Sequence, residues 1–134
     1  MAYRGPVHQW DVFDADLNFP VGSEQGGESR PVIIVSNDGF NANFPVVTIV
    51  RLTGRQGKKR KVYPFEIVVP ANLMANPKKS SIVPYQIRTI DKTRLLKALG
   101  RLEAADVRHQ IEERIIEHIG VDLDDDEGAD ATGS

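Results

Sequence analysis

Residues 46–53, VVTIVRLT, are the strongest strand signal in the chain, and they force a sheet. β-Branched side chains are stiff about χ1 and crowd a helix, but they pack well on a pleated surface. A second run, VIIV at 32–35, is continuously apolar and reads as a strand buried on both faces. WDVFD at 10–14 alternates well enough for a first strand, and residues 63–69 are expected to return as the antiparallel partner of 46–53. Residues 81–85 and 86–89 add a strand pair or one bent strand. Turn residues separate these runs: a long loop at 15–29 with Pro20 and three glycines, an Asn/Gly/Pro-rich turn at 37–45, and a cationic turn at 54–61. Five or six short strands at this spacing predict a compact, strongly curved sheet or a small barrel.

Helix enters only at the end. Asp91 is a good N-cap for a short helix through Leu95, Leu96 and Leu99, stopped by Gly100. From Glu103 a longer helix sets Val107, Ile111, Ile115 and Ile119 in one stripe that faces the sheet, with Gly120 as its stop. Residues 121–134 have no apolar periodicity and a dense negative charge, so they are expected to be a disordered acidic tail. The division is therefore a single domain at 1–120 and a tail at 121–134.

Charge divides along the same line. The tail takes six of the 19 acidic residues and no basic one, so the body holds 17 basic against 13 acidic side chains. A mildly basic body suits a polyanion better than the overall charge of −2 implies. The absence of cysteine excludes disulfides, thiolate metal sites and cysteine nucleophiles. No apolar stretch is long enough to span a bilayer, and MAYRGPVHQW lacks the apolar core of a signal peptide, so the expected compartment is the cytoplasm. His8, His109 and His118 are not spaced as a ligand pair, and the expectation is exposed histidines, no metal and no cofactor.

Chemistry concentrates at 21–38, VGSEQGGESRPVIIVSND. A Gly-rich loop with Ser23 and Glu24 runs through Arg30 into the buried strand, which ends in Ser36, Asn37 and Asp38. An arginine at the root of a stiff strand offers a fixed fork of donors to phosphate. The same residues read equally well as a tight turn and a surface ion pair. The turn RQGKKRK at 55–61 has five cations in seven residues; Lys58, Lys59, Arg60 and Lys61 either follow a nucleic-acid backbone or form a solvated hairpin tip guarding a sheet edge. Arg51 and Thr53 fall on one strand face by alternation. Thr53 taken alone is an ordinary strand-end residue. Phe19, Phe40 and Phe44 are either bases' stacking partners or core anchors.

VGSEQGG, RPVIIVSND and QIRTIDK at 86–92, in this order, resemble the MazF/PemK family of toxin endoribonucleases from type II toxin–antitoxin pairs. The resemblance spans roughly 10–102. It implies a mainly β fold with C-terminal helices, an SH3-like small barrel of the MazF/Kid/CcdB type. It implies metal-independent, sequence-specific cleavage of single-stranded RNA, in which the ribose 2′-OH of the substrate is the nucleophile. Arg30, Thr53 and Glu24 are then the catalytic candidates. Ser23, Asn37, Arg51, Gln86 and the lysines and arginine of the basic turn are the substrate-binding ones. The implied partners are single-stranded RNA, a second copy of the chain and a MazE-like antitoxin. A CcdB-like gyrase-binding toxin, which has no need of the set Glu24, Arg30 and Thr53, and a non-catalytic single-stranded RNA-binding module are the other readings. The chain departs from the family pattern in two places: one extra residue lies between Glu24 and Arg30, and Trp10 stands where the family commonly has glycine.

Overall fold

The computed structural model describes residues 2–17, 29–54 and 64–120. Among these residues six strands make one sheet: β1 (Asp11–Asp16), β2 (Ser29–Ile34), β3 (Val46–Gly54), β4 (Ile67–Val69), β5 (Ser80–Asp91) and β6 (Leu95–Arg101). Their spatial order is β4-β5-β3-β2-β1-β6, and every neighbouring pair is antiparallel. The described residues also hold two α-helices, α1 (Asp38–Asn43) and α2 (Ala105–Ile119). Ser23, Glu24, Phe19, the turn at 55–61 and the acidic segment 121–134 lie outside the described residues.

The central strands are apolar on both sides because both sides are covered. Val32, Ile33 and Ile34 of β2 are fully buried, as are Val47, Ile49 and Val50 of β3. Ile33, Val50 and Leu52 face one core together with Trp10, Ile82, Met74 and the Val107 and Ile111 side chains of α2. Val32, Ile34, Val47 and Ile49 face a second core with Phe13, Ile90 and Leu95, closed by Val7 and Tyr3 of the N-terminal segment. Tyr3 meets Phe13 edge-on, with ring centroids 4.8 Å apart.

Four expectations are corrected. Residues 92–99 are not a helix: Asp91 does cap, accepting from the Thr93 amide at 2.9 Å, but the turn it starts is a single 3-10 turn at Lys92–Arg94. Leu95 then enters β6, which pairs with β1. The edge of β1 offers a whole ladder of hydrogen bonds, and this tertiary pairing overrides the good helix propensity of LLKAL. Residues 67–69 pair with β5 and not with β3, because β3 already has β2 on one side and β5 on the other. The polar stretch at 37–45 holds α1, with Asn37 as its N-cap accepting from the Phe40 amide at 2.8 Å. On α2, Val107 and Ile111 are buried as the stripe requires, but Ile119 is 63% exposed because the helix outruns the sheet. Gly120 ends it in the left-handed conformation, φ 81°.

Trp10 also has a left-handed backbone, φ 76°, immediately before β1. Glycine adopts that conformation freely, whereas a side chain there is strained. Burial offsets the strain: the indole is 6% exposed, packs in the α2-facing core and lies 5.6 Å beneath the Arg108 guanidinium.

Among the described residues the sheet does not close into a hydrogen-bonded barrel, since β4 and β6 remain its edges. The loop from β4 to β5 bridges them instead. Ala75 in that loop lies so close to β6 that a Cβ on Gly100 would meet the Ala75 Cβ at 2.9 Å. Asn76 shapes the loop, with its side-chain amide donating to the Pro70 and Lys78 carbonyls at 2.9 and 2.8 Å and its Oδ1 accepting from the Met74 amide at 3.0 Å. Gly100→Val is expected to push the loop off β6 and cost about 1–3 kcal/mol, read as a lower urea midpoint. An unchanged midpoint would show that the loop yields freely and does not brace the sheet.

Candidate active site

Strand pairing brings the polar residues of β2 and β3 together. Val32 pairs with Arg51, and continuing that register sets Arg30 across from Thr53. Arg51 and Thr53 share a face, as alternation predicts. Arg30, Arg51 and Thr53 all line one open cleft of about 590 Å³ at this end of the strands. Asp14 of β1 and Asn76 and Lys78 of the β4–β5 loop complete its walls.

The cleft is built for negative charge. Burial, and then the like charge of Arg30, hold the Arg51 guanidinium below its ordinary value, with Tyr85 acting in the opposite direction. Arg51 stays protonated, so the site keeps two cations whose repulsion an anion would relieve. Nη1 of Arg51 donates to Oε1 of Gln86 at 3.0 Å, which fixes the plane of the fork. Its Nε is buried with no hydrogen-bond partner among the described residues, and the same holds for the Thr53 hydroxyl oxygen. Buried polar groups are nearly always paired, and leaving one unpaired costs about 1–3 kcal/mol. Two such groups beside one cleft mark the place where a polar ligand would be bound.

Gln86 reaches Arg51 because β5 bulges. Ile49 pairs with Arg88 and Arg51 with Val83, so residues 84–87 all stand opposite Val50 alone. Bulges of this kind re-aim side chains next to functional sites. Arg88, just past the bulge, is a residue that sequence reasoning did not single out. Burial first, then Arg94 and Arg51, lower its guanidinium below the ordinary value, so it extends the cationic face. Arg94 donates to the Asp16 carbonyl at 3.0 Å and so holds the end of β1.

The remaining candidates are placed elsewhere. Asn37 follows the far end of β2, where its side chain serves as the α1 cap, and the structure does not bring it to Arg30 and Thr53. Phe40 and Phe44 stack on each other at 4.8 Å around the same helix. His8, His109 and His118 are exposed, and His109 contacts Glu112 and Glu113 on its own helix. Among the described residues no group of three His, Asp or Glu side chains could hold a metal ion.

The family model described as PemK-like, MazF-like toxin of type II toxin–antitoxin system matches residues 8–119. The chain is 42% identical over 96 residues to Endoribonuclease MazF of Staphylococcus saprophyticus, an overlap of 72% of this chain and 78% of that protein. In fold it is similar to MazF of Deinococcus radiodurans, with a TM-score of 0.70 and 23% identity over 88% of this chain and all of that one. It is also similar to a mycobacterial endoribonuclease solved with its cognate antitoxin, with a TM-score of 0.68 and 21% identity over 87% and 98% of the two chains.

Proposed function

The chain belongs to the PemK-like, MazF-like toxins of type II toxin–antitoxin systems, and from that premise we propose that it cuts single-stranded RNA in the cleft between β2, β3 and the β4–β5 loop. The observation that carries this reading is the convergence of Arg30, Arg51 and Thr53 on one cleft, with a buried Thr53 hydroxyl and a buried Arg51 Nε that lack partners among the described residues. An endoribonuclease at 42% identity favours RNA cleavage over the CcdB-like, gyrase-binding alternative.

The substrate brings its own nucleophile. The ribose 2′-OH attacks the adjacent phosphorus and the bond to the 5′-oxygen breaks, leaving a 2′,3′-cyclic phosphate and a 5′-hydroxyl. One proton leaves the 2′-OH and one reaches the departing oxygen, so no water is consumed. The protein must hold the two oxygens in line and stabilise the extra charge on the phosphoryl group. Arg30 and Arg51 supply that charge, and Gln86 keeps Arg51 oriented. Thr53 donates to a phosphoryl oxygen or to the leaving oxygen. Glu24 takes the proton of the 2′-OH, with Ser23 on the same Gly-rich loop binding phosphate. Mapping the ends of a long RNA after incubation with the pure protein tests the reading. Cyclic-phosphate and 5′-hydroxyl ends at recurring short sequences support it, and an intact RNA would refute it.

The basic turn at 55–61 contributes binding and not chemistry. Neutralising Lys58, Lys59, Arg60 and Lys61 is expected to weaken RNA affinity and flatten its salt dependence, with the rate at saturating RNA little changed. An unchanged salt slope would instead identify the turn as a solvated hairpin tip. Two copies of the chain would share the RNA, and an acidic antitoxin would occupy the same cationic cleft. No helix among the described residues is long and apolar enough to cross a membrane, and the proposed site of action is the cytoplasm, where messenger RNA is found.

A further inference from the structure

The β5 bulge has a second consequence beside Gln86. Its neighbour Tyr85 meets Phe65 edge-on, with ring centroids 4.6 Å apart and planes at 83°. These two rings and Arg114, Glu117 and His118 of α2 enclose another cleft, of about 360 Å³. That is the size of a small-ligand site. Phe65 is 42% exposed, although it is a large apolar side chain. Arg114 keeps a buried Nε with no hydrogen-bond partner among the described residues.

We propose that this cleft receives one unpaired base of the RNA strand whose phosphate lies at Arg51, and that it sets the base preference at that position. The inference rests on the endoribonuclease reading and deepens it. Three features favour a base over other occupants. The walls are aromatic, and every base has a π-face to set against them. The rim mixes a donor, Arg114, an acceptor, Glu117, and His118, which offers either, and these are the groups that read a base edge. A bare phosphate would face apolar rings and the Glu117 carboxylate, so the charge pattern disfavours it. Position is the fourth consideration. Tyr85 acts electrostatically on Arg51, and its neighbour Gln86 bonds Arg51, so the rings adjoin the place proposed for the phosphate.

The test is cleavage of a short RNA in which single abasic nucleotides are stepped across the positions flanking the cut. The wild-type protein is compared with Phe65→Ala and Arg114→Gln, and Phe65→Leu keeps the apolar volume in case alanine disturbs folding. At one position the abasic substitution is expected to lower kcat/KM of the wild type by roughly 5- to 100-fold, the range for loss of one stacked base. At that position it should cost the Phe65 variants little more than they have already lost. Equal abasic sensitivity in wild type and variants at every position would overturn the base subsite. Loss of activity on all RNAs together with a change in sedimentation would overturn it too, showing that the cleft is a contact between copies. A wild-type protein that cuts the RNA but shows no coupled position refutes this inference alone. One that cuts no RNA refutes the endoribonuclease reading beneath it.

Discussion

Arg30→Ala is expected to slow RNA cleavage by about 10²–10³-fold, or roughly 2.7–4 kcal/mol of transition-state stabilisation, the usual loss when one charge-stabilising donor is removed. The sheet should survive. Arg30 is only half-buried at the start of β2, and the fully buried residues of that strand are Val32, Ile33 and Ile34. Removing it also removes one of the two causes that hold the Arg51 guanidinium below its ordinary value, so Arg51 becomes if anything easier to keep charged. A loss of activity therefore cannot come from Arg51 deprotonating. Thr53→Ala should cost a comparable or smaller factor, because a neutral hydroxyl donor is replaced and the cations remain. Single-turnover rates at saturating RNA, with circular dichroism to check the fold, make the measurement. A well-folded Arg30→Ala protein that cuts at near wild-type rate would remove Arg30 from the site.

The parts of this fold that were legible in the sequence are those fixed by local pattern. The β-branched runs of β2 and β3 needed no tertiary information, because few other conformations suit VIIV and VVTIV. The alternation that puts Arg51 and Thr53 on one face, and the glycine stop of α2, were legible for the same reason. What failed was pairing. LLKAL reads as helix by composition and becomes β6 because β1 has an edge to fill. Residues 67–69 follow β3 in sequence yet pair with β5, since hairpin adjacency is a tendency that sheet order can override.

The site divides in the same way. Arg30 and Thr53 were singled out by motif and strand position, and the β2–β3 register sets them across from each other. Arg88, and the loop residues Asn76 and Lys78, were not singled out. Arg88 was inside a run quoted for its family resemblance, and its alignment with Arg51 depends on the β5 bulge, which no local pattern in PYQIRT announces. Asn76 and Lys78 reach the cleft only because a loop crosses from one sheet edge to the other, toward Gly100. Asn37, a polar residue at the end of a strand that suggested an RNA ligand, uses its side chain to cap α1 at the opposite end of β2 from Arg30.

The largest effect of all is expected from the substrate. A single deoxyribose placed just 5′ of the cut should leave binding nearly normal, since the phosphate contacts proposed for Arg30 and Arg51 are untouched. Cleavage at that bond should be abolished, because the nucleophile is gone. The all-ribose strand, incubated with the protein in EDTA, should still be cut to cyclic-phosphate and 5′-hydroxyl ends. DNA of the same sequence should be bound at most, the 2′-OH being what distinguishes the two polymers at this site. The decisive measurement is the pair of end-mapped reactions, all-ribose and singly deoxy-substituted, run side by side in chelator. Cleavage of the first and not of the second is the predicted result. Cleavage of the deoxy-substituted strand at the original bond would make water the nucleophile and contradict the mechanism assigned to this cleft.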